Sequence, residues 1–148
     1  MRKPLVILVT LILFSCAKKD EPVTHGFDML FNALDKKANS FNIGIRSDLV
    51  YTESTEANFE KEYGSEYKDA FLIPIFKRIA RTNLKNYSAG EIYNYQRPEI
   101  ERKILDQTKL AFDSIDIEVT RFFITTIEIP DDLMKRLEQE HLERKGKN

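Results

Sequence analysis

The sequence predicts an α+β fold: a small β-sheet packed by several helices, with a charged helix at the carboxyl end. Three observations carry this. Phe41 to Tyr51 and Ile117 to Ile129 each alternate apolar and polar residues with period two, the pattern of a half-buried strand. Between them, apolar residues recur at helical spacing, punctuated by start and stop signals. After Pro130 the chain becomes strongly charged while keeping a spaced set of leucines.

A length of 148 residues gives room for one domain with its own core. A composition 42% hydrophobic and 32% charged suits a globular body carrying long charged helices rather than a disordered chain. The 23 Lys and Arg nearly balance the 24 Asp and Glu. No basic excess is left to neutralise phosphates, so nucleic acid is not an expected partner.

Residues 1–15 read as a signal peptide. Arg2 and Lys3 form a positive start, and the apolar run Leu5 to Phe14 is about half the roughly 20 residues that span a bilayer. The run ends in Leu13-Phe14-Ser15-Cys16, which resembles the bacterial lipobox: an aliphatic residue, a small one, then cysteine. Cys16 is the sole cysteine, so no internal disulfide can form, and lipidation is the expected use of its thiol. Two or more acyl chains would hold the protein stably on a membrane. Lys19-Asp20-Glu21 is similar to a surface-export signal of some lipoproteins. The expected location is therefore the bacterial outer membrane, with the periplasmic and surface faces both open.

Residues 16–26 are expected to form a polar tether containing Pro22. Phe27, Leu30, Phe31 and Leu34 recur at helical spacing, so Phe27 to Lys37 reads as a short helix or irregular packed segment. Phe41, Ile43, Ile45, Leu49 and Tyr51 share one face of the first strand. A helix capped near Thr52 to Thr55 follows and ends at Gly64. The next, Ser65 to Asn83, buries Phe71, Ile75 and Ile79, and Pro74 should bend or restart it. Ser88-Ala89-Gly90-Glu91 is a capping box opening a short helix to Tyr95. Pro98 suits the first turn of another, which buries Ile100, Ile104, Leu105, Ala111 and Phe112. Ile117, Val119, Phe123, Ile127 and Ile129 make the inner face of the second strand, with Arg121 and Thr125 as exceptions. Asp131 and Asp132 suit the positive end of the last helix, which runs to about Lys145.

This order of elements resembles the second half of the prohibitin/stomatin (SPFH, band 7) domain. Tyr63-Gly64-Ser65-Glu66-Tyr67 followed by Leu72 and Pro74 is similar to one family stretch, and Arg78 and Arg81 fall where relatives carry arginine. Ser88 to Tyr93, Arg97 and Ile100-Glu101 resemble its capped helix and the arginine-led helix after it. Ile117, Val119, Ile124, Ile127 and Pro130 follow its closing strand. The likeness covers about Phe41 to Glu140. It implies a shortened SPFH/band 7-like domain over residues 27–148, with its carboxyl-terminal helix from about residue 131. The family's early strands are expected to be missing or compressed into Phe27 to Lys37. Its long coiled coil is expected to be absent, which favours a smaller assembly than the family's rings. What the resemblance implies about function is a membrane-tethered scaffold or adaptor, without enzyme activity, that self-associates or organises membrane proteins.

The chemistry of the residues agrees with that. His25 falls in the expected tether and His141 in the charged helix; each reads as a solvated surface histidine. No nucleophile elbow, phosphate-cradling loop or zinc-spaced histidine pair occurs. Asp131 and Asp132 could hold calcium, but helix capping explains them, so neither metal nor cofactor is expected. Tyr87, Tyr93 and Tyr95 either form an aromatic contact patch or fill the core between helices. Leu133, Leu137 and Leu142, with Met134, either pack on their own domain or meet a second copy. A small envelope lipoprotein that binds a glycan or peptide is the alternative function, and a hydrolase would need His141 in one cleft with a carboxylate and a serine or threonine.

Overall fold

A computed structural model describes residues 20–94 and 96–145. The readings of residues 1–15, of Cys16 and of Tyr95 lie outside them. Three antiparallel strands form one sheet in the order β1-β2-β3: β1 is Pro22–Leu34, β2 Ser40–Thr52 and β3 Glu118–Glu128. The helices are α1 (Glu53–Tyr63), α2 (Ile73–Leu84), α3 (Ala89–Asn94), α4 (Arg97–Asp113) and α5 (Asp131–Lys145). The two strands expected from alternation pair with each other, as an α+β fold requires.

The largest correction concerns the amino-terminal segment. Pro22 to Leu34 is a strand, so Pro22 to Gly26 is not tether and Phe27 to Leu34 is not helix. Phe27, Met29, Phe31 and Ala33 point into the core, and Leu30 and Leu34 stand on the opposite, solvent-facing side. Leu30 and Leu34 created the helical spacing, yet they lie on the wrong face to be core. The long antiparallel register with β2, from Pro22 opposite Thr52 to Leu34 opposite Ser40, overrides the local signal.

β3 departs from period two as well. Its register against β2 shifts twice, leaving Thr120 and Thr125 as extra residues. Each bulge reverses which side faces inward, so Val119, Phe122 and Ile124 are buried and Ile127 half-buried, while Phe123 moves to the outer side. Arg121 and Thr125 thereby reach solvent. Gly44 lies beneath the second bulge: a Cβ there would come within 2.8 Å of Thr125 Oγ1 and 3.2 Å of Thr126 Cβ.

The helices cover the inner face of the sheet. Thr52 caps α1, its hydroxyl accepting from the Thr55 amide at 3.2 Å, and Gly64 ends it at φ 83°. Pro74 acts as expected from its missing donor: a π-helical turn, Lys68–Leu72, runs directly into α2 with Pro74 in the first turn. Leu72, Phe76, Ala80 and Leu84 from this segment meet Ile100, Ile104 and Phe112 of α4 above the strands. At roughly 1.5–3 kcal/mol per fully buried large side chain, this layer and the inner face of the sheet together supply the driving force for folding.

Candidate functional site

At the β1–β2 hairpin end of the sheet, a groove of about 570 Å³ opens between α3 and α5. Its apolar lining comes from Tyr93, Ile129, Met134 and Leu137; the charged Lys36, Lys37, Glu91, Glu138 and Glu140 surround it, with His141 beside them.

One carboxylate builds this end. Asp35, only 3% exposed, accepts from the amides of Lys37 and Asn39 at 2.8 Å each, and so closes the hairpin loop. Its other oxygen accepts from the Ala89 amide at 3.0 Å, which caps α3 across the fold. Burial alone would raise the pKa of this carboxyl; the hydrogen bonds from Asn39, Ala89 and Lys37 outweigh it and hold the group ionised below the ordinary aspartate value. The loop carries Ala38 at φ 61°, a strained setting for a residue with a Cβ. Its backbone is docked too, Lys36 donating to the Tyr87 carbonyl at 2.8 Å.

The capping box forms as read. Ser88 Oγ accepts from the Glu91 amide at 3.3 Å, and the Glu91 carboxylate accepts from the Ser88 amide at 2.7 Å. Lys36 also pairs with Glu91 at 2.7 Å. The lysine above all, with Ser88, pulls the Glu91 pKa down to about 2. Lys37 reaches across to Glu140 of α5 at 2.8 Å, and Arg136 to Asn39 at 3.4 Å.

The residues singled out from sequence separate. Tyr93 is 52% exposed beside the groove, whereas Tyr87 packs against the core with its hydroxyl accepting from Lys103 at 2.8 Å. Leu133 is buried in its own domain, Leu137 lines the groove, and Leu142 is 68% exposed. Leu133 is therefore excluded as a contact for a second copy. The groove gathers His141, Ser88 and carboxylates, the set a hydrolase would need. The Ser88 hydroxyl, however, donates to Glu91 at 2.8 Å, and no hydrogen bond to His141 is in place among the described residues.

A second polar cluster at the far end of the sheet had no signal in the sequence. His25 is not a free surface residue: its ring stacks on Tyr51, centroids 4.0 Å apart and nearly parallel. The Tyr51 and Tyr67 hydroxyls lie 2.9 Å apart, and Tyr67 donates to Glu56 at 2.7 Å, with Lys68 3.3 Å from the same carboxylate. Burial pushes both tyrosines up and His25 down, so all three are neutral near pH 7. The Tyr67 hydrogen bond, foremost, holds Glu56 low. Glu56 lies three residues beyond the start of α1 and Tyr67 past its end, so only the folded chain brings them together.

Among the described residues, no group of three acidic, histidine or cysteine side chains is placed to hold a metal, and no helix is long and apolar enough to cross a membrane. No curated protein matches the chain. A family model does: the SPFH domain / Band 7 family, over residues 32–147. That span takes in β2, β3 and every helix among the described residues, so by most of its length the chain belongs to the SPFH/Band 7 family.

Proposed function

We propose that this protein is a non-enzymatic scaffold or adaptor, held on the bacterial outer membrane by a lipid on Cys16, that self-associates and organises membrane proteins. The observation that carries the reading is the family match over residues 32–147. The geometry supports it. Asp20, four residues after Cys16, binds the amide and hydroxyl of Ser54 at the start of α1. An anchor would thus hold the domain at the end of the sheet remote from the groove. A 13-residue β1 at about 3.3 Å per residue sets the groove roughly 40 Å from that end, clear of a lipid surface. Anchoring would also raise the local concentration, so that weak lateral contacts suffice.

The test is metabolic labelling with a fatty-acid analogue, comparing wild type with Cys16→Ala, alongside light scattering of the detergent-solubilised protein. Label confined to the wild type and a mass above the monomer are expected. An unlabelled, freely released wild type would refute the anchor, and a strict monomer at high concentration would refute the scaffold.

A second reading, a lipoprotein that binds a glycan or peptide, is favoured by the exposed Tyr93 beside the apolar groove. Tyr93→Ala would then abolish binding in a glycan or peptide array while leaving assembly intact.

A further inference from the structure

We infer that β1 is the joint between copies: two chains pair their β1 strands antiparallel about a two-fold axis at Phe27, making one six-stranded sheet. The inference rests on the proposed self-association and specifies its surface.

The hydrogen-bond parity of the sheet shows which backbone groups face outward. On β3, the amide of Ile124 donates to Glu101 at 2.7 Å and its carbonyl accepts from Arg97, so both point away from β2. Ile124 lies opposite Ile45, so the odd residues of β2 bond to β1 instead, and with them the odd residues of β1. The even residues of β1 therefore face the open edge. Arg81 confirms this independently, donating to the outward carbonyl of Asn32 at 3.0 Å.

Between Asn32 and Pro22, which has no amide hydrogen, lie Thr24, Gly26, Asp28 and Leu30. None of their edge-facing groups has a partner among the described residues. Native sheets normally blunt or cover such an edge. The two stops, Pro22 and Asn32, are equidistant from Phe27, so the open stretch is its own two-fold complement. Thr24 then faces Leu30 of the second copy and Gly26 faces Asp28, with about eight backbone hydrogen bonds formed.

Charge favours the same register. Arg46 holds its own Asp28 at 3.6 Å, and its guanidinium also lies over Gly26, 3.6 Å from where a Cβ would be. Asp28 of the second copy, arriving opposite Gly26, meets that guanidinium. Moving the axis by one residue to Asp28 would instead set like charges face to face. A peptide or another protein could use the same edge, but neither would explain its symmetry.

The test uses the full chain in detergent, with native light scattering and disulfide trapping. Wild type is expected to be at least dimeric. Thr24→Cys with Leu30→Cys should give an intermolecular disulfide that neither single variant gives. Gly26→Pro, which removes an outward donor and no β1–β2 bond, should weaken association tenfold or more with an unchanged melting curve. Asp28→Arg should do likewise, and Asp28→Arg with Arg46→Asp should restore pairing. An assembly insensitive to both substitutions would overturn the β1 joint and leave self-association standing. A monomeric wild type would overturn both, and the edge would then belong to the chain's own amino-terminal residues or to a different protein.

Discussion

The two outer strands of one sheet meet the same problem in opposite ways. β3 carries two bulges and is closed at Ile124 by α4, whose Arg97 and Glu101 take up the outward backbone of that residue. β1 runs straight against β2 and is pinned near its ends: by Arg81 and Asp35 at the hairpin, and by the Asp20–Ser54 contact at the other. Among the described residues, its middle carries no such cover. An edge closed by its own side chains is finished within the monomer, whereas an open one keeps its strongest directional groups for something else.

The difference can be broken from either side. Asp35→Ala removes the pin at the hairpin end and orphans the Lys37, Asn39 and Ala89 amides together. A loss of about 3 kcal/mol is expected in urea unfolding, with the hairpin loop and the start of α3 exchanging fastest. Glu101→Ala unseals β3 by freeing the Ile124 amide and depriving Arg97 of its 3.1 Å partner. That should cost about 1–2 kcal/mol, and a variant as stable as wild type would show the seal to be ornamental.

Acid should act on the pinned hairpin end. Glu91, at about 2 when folded against an ordinary 4.5, and Asp35, also lowered, both bind protons more readily when unfolded. Their stabilisation is complete above the unfolded values and drains away as pH falls through the folded ones. His25, whose pKa burial lowers from 6.5, adds a loss of the same sign starting at higher pH. The melting temperature should therefore decline from about pH 6 and fall more steeply below about 4.5. Glu91→Gln should flatten the lower part, since part of the loss is then already taken. The smallest effect is expected at Ala38, where φ 61° suits glycine: Ala38→Gly should gain roughly 0.5 kcal/mol, strain relief outweighing added freedom of the unfolded chain.

What could be read from the sequence was whatever depends on neighbours within about four residues. The Ser88–Glu91 box, the Thr52 cap and the Pro74 restart are local chemistry, and each is found where its residues stand. β2 was legible because its inner face, Phe41, Ile43, Ile45, Leu49 and Tyr51, is interrupted only by the small Ser47. β1 was not, because Leu30 and Leu34 complete a helical spacing that only pairing with β2 overrules. β3 was partly legible: its bulges at Thr120 and Thr125 depend on the register chosen by its partner. For the site, Tyr93 and Leu137 were in view from the start, but the groove between them depends on Asp35 joining a hairpin to a helix 54 positions later. The Tyr51–Tyr67–Glu56 cluster and the contrast between the two edges are likewise properties of the assembled sheet.

The most direct measurement is residue-resolved amide hydrogen exchange at two protein concentrations. The Ile124 amide should be protected at both, held by Glu101 within each chain. The Gly26 and Asp28 amides should exchange rapidly when dilute and become protected as the concentration rises. Slow exchange at Gly26 and Asp28 in the dilute protein, or no change on concentrating it, would contradict an edge left open for a second copy.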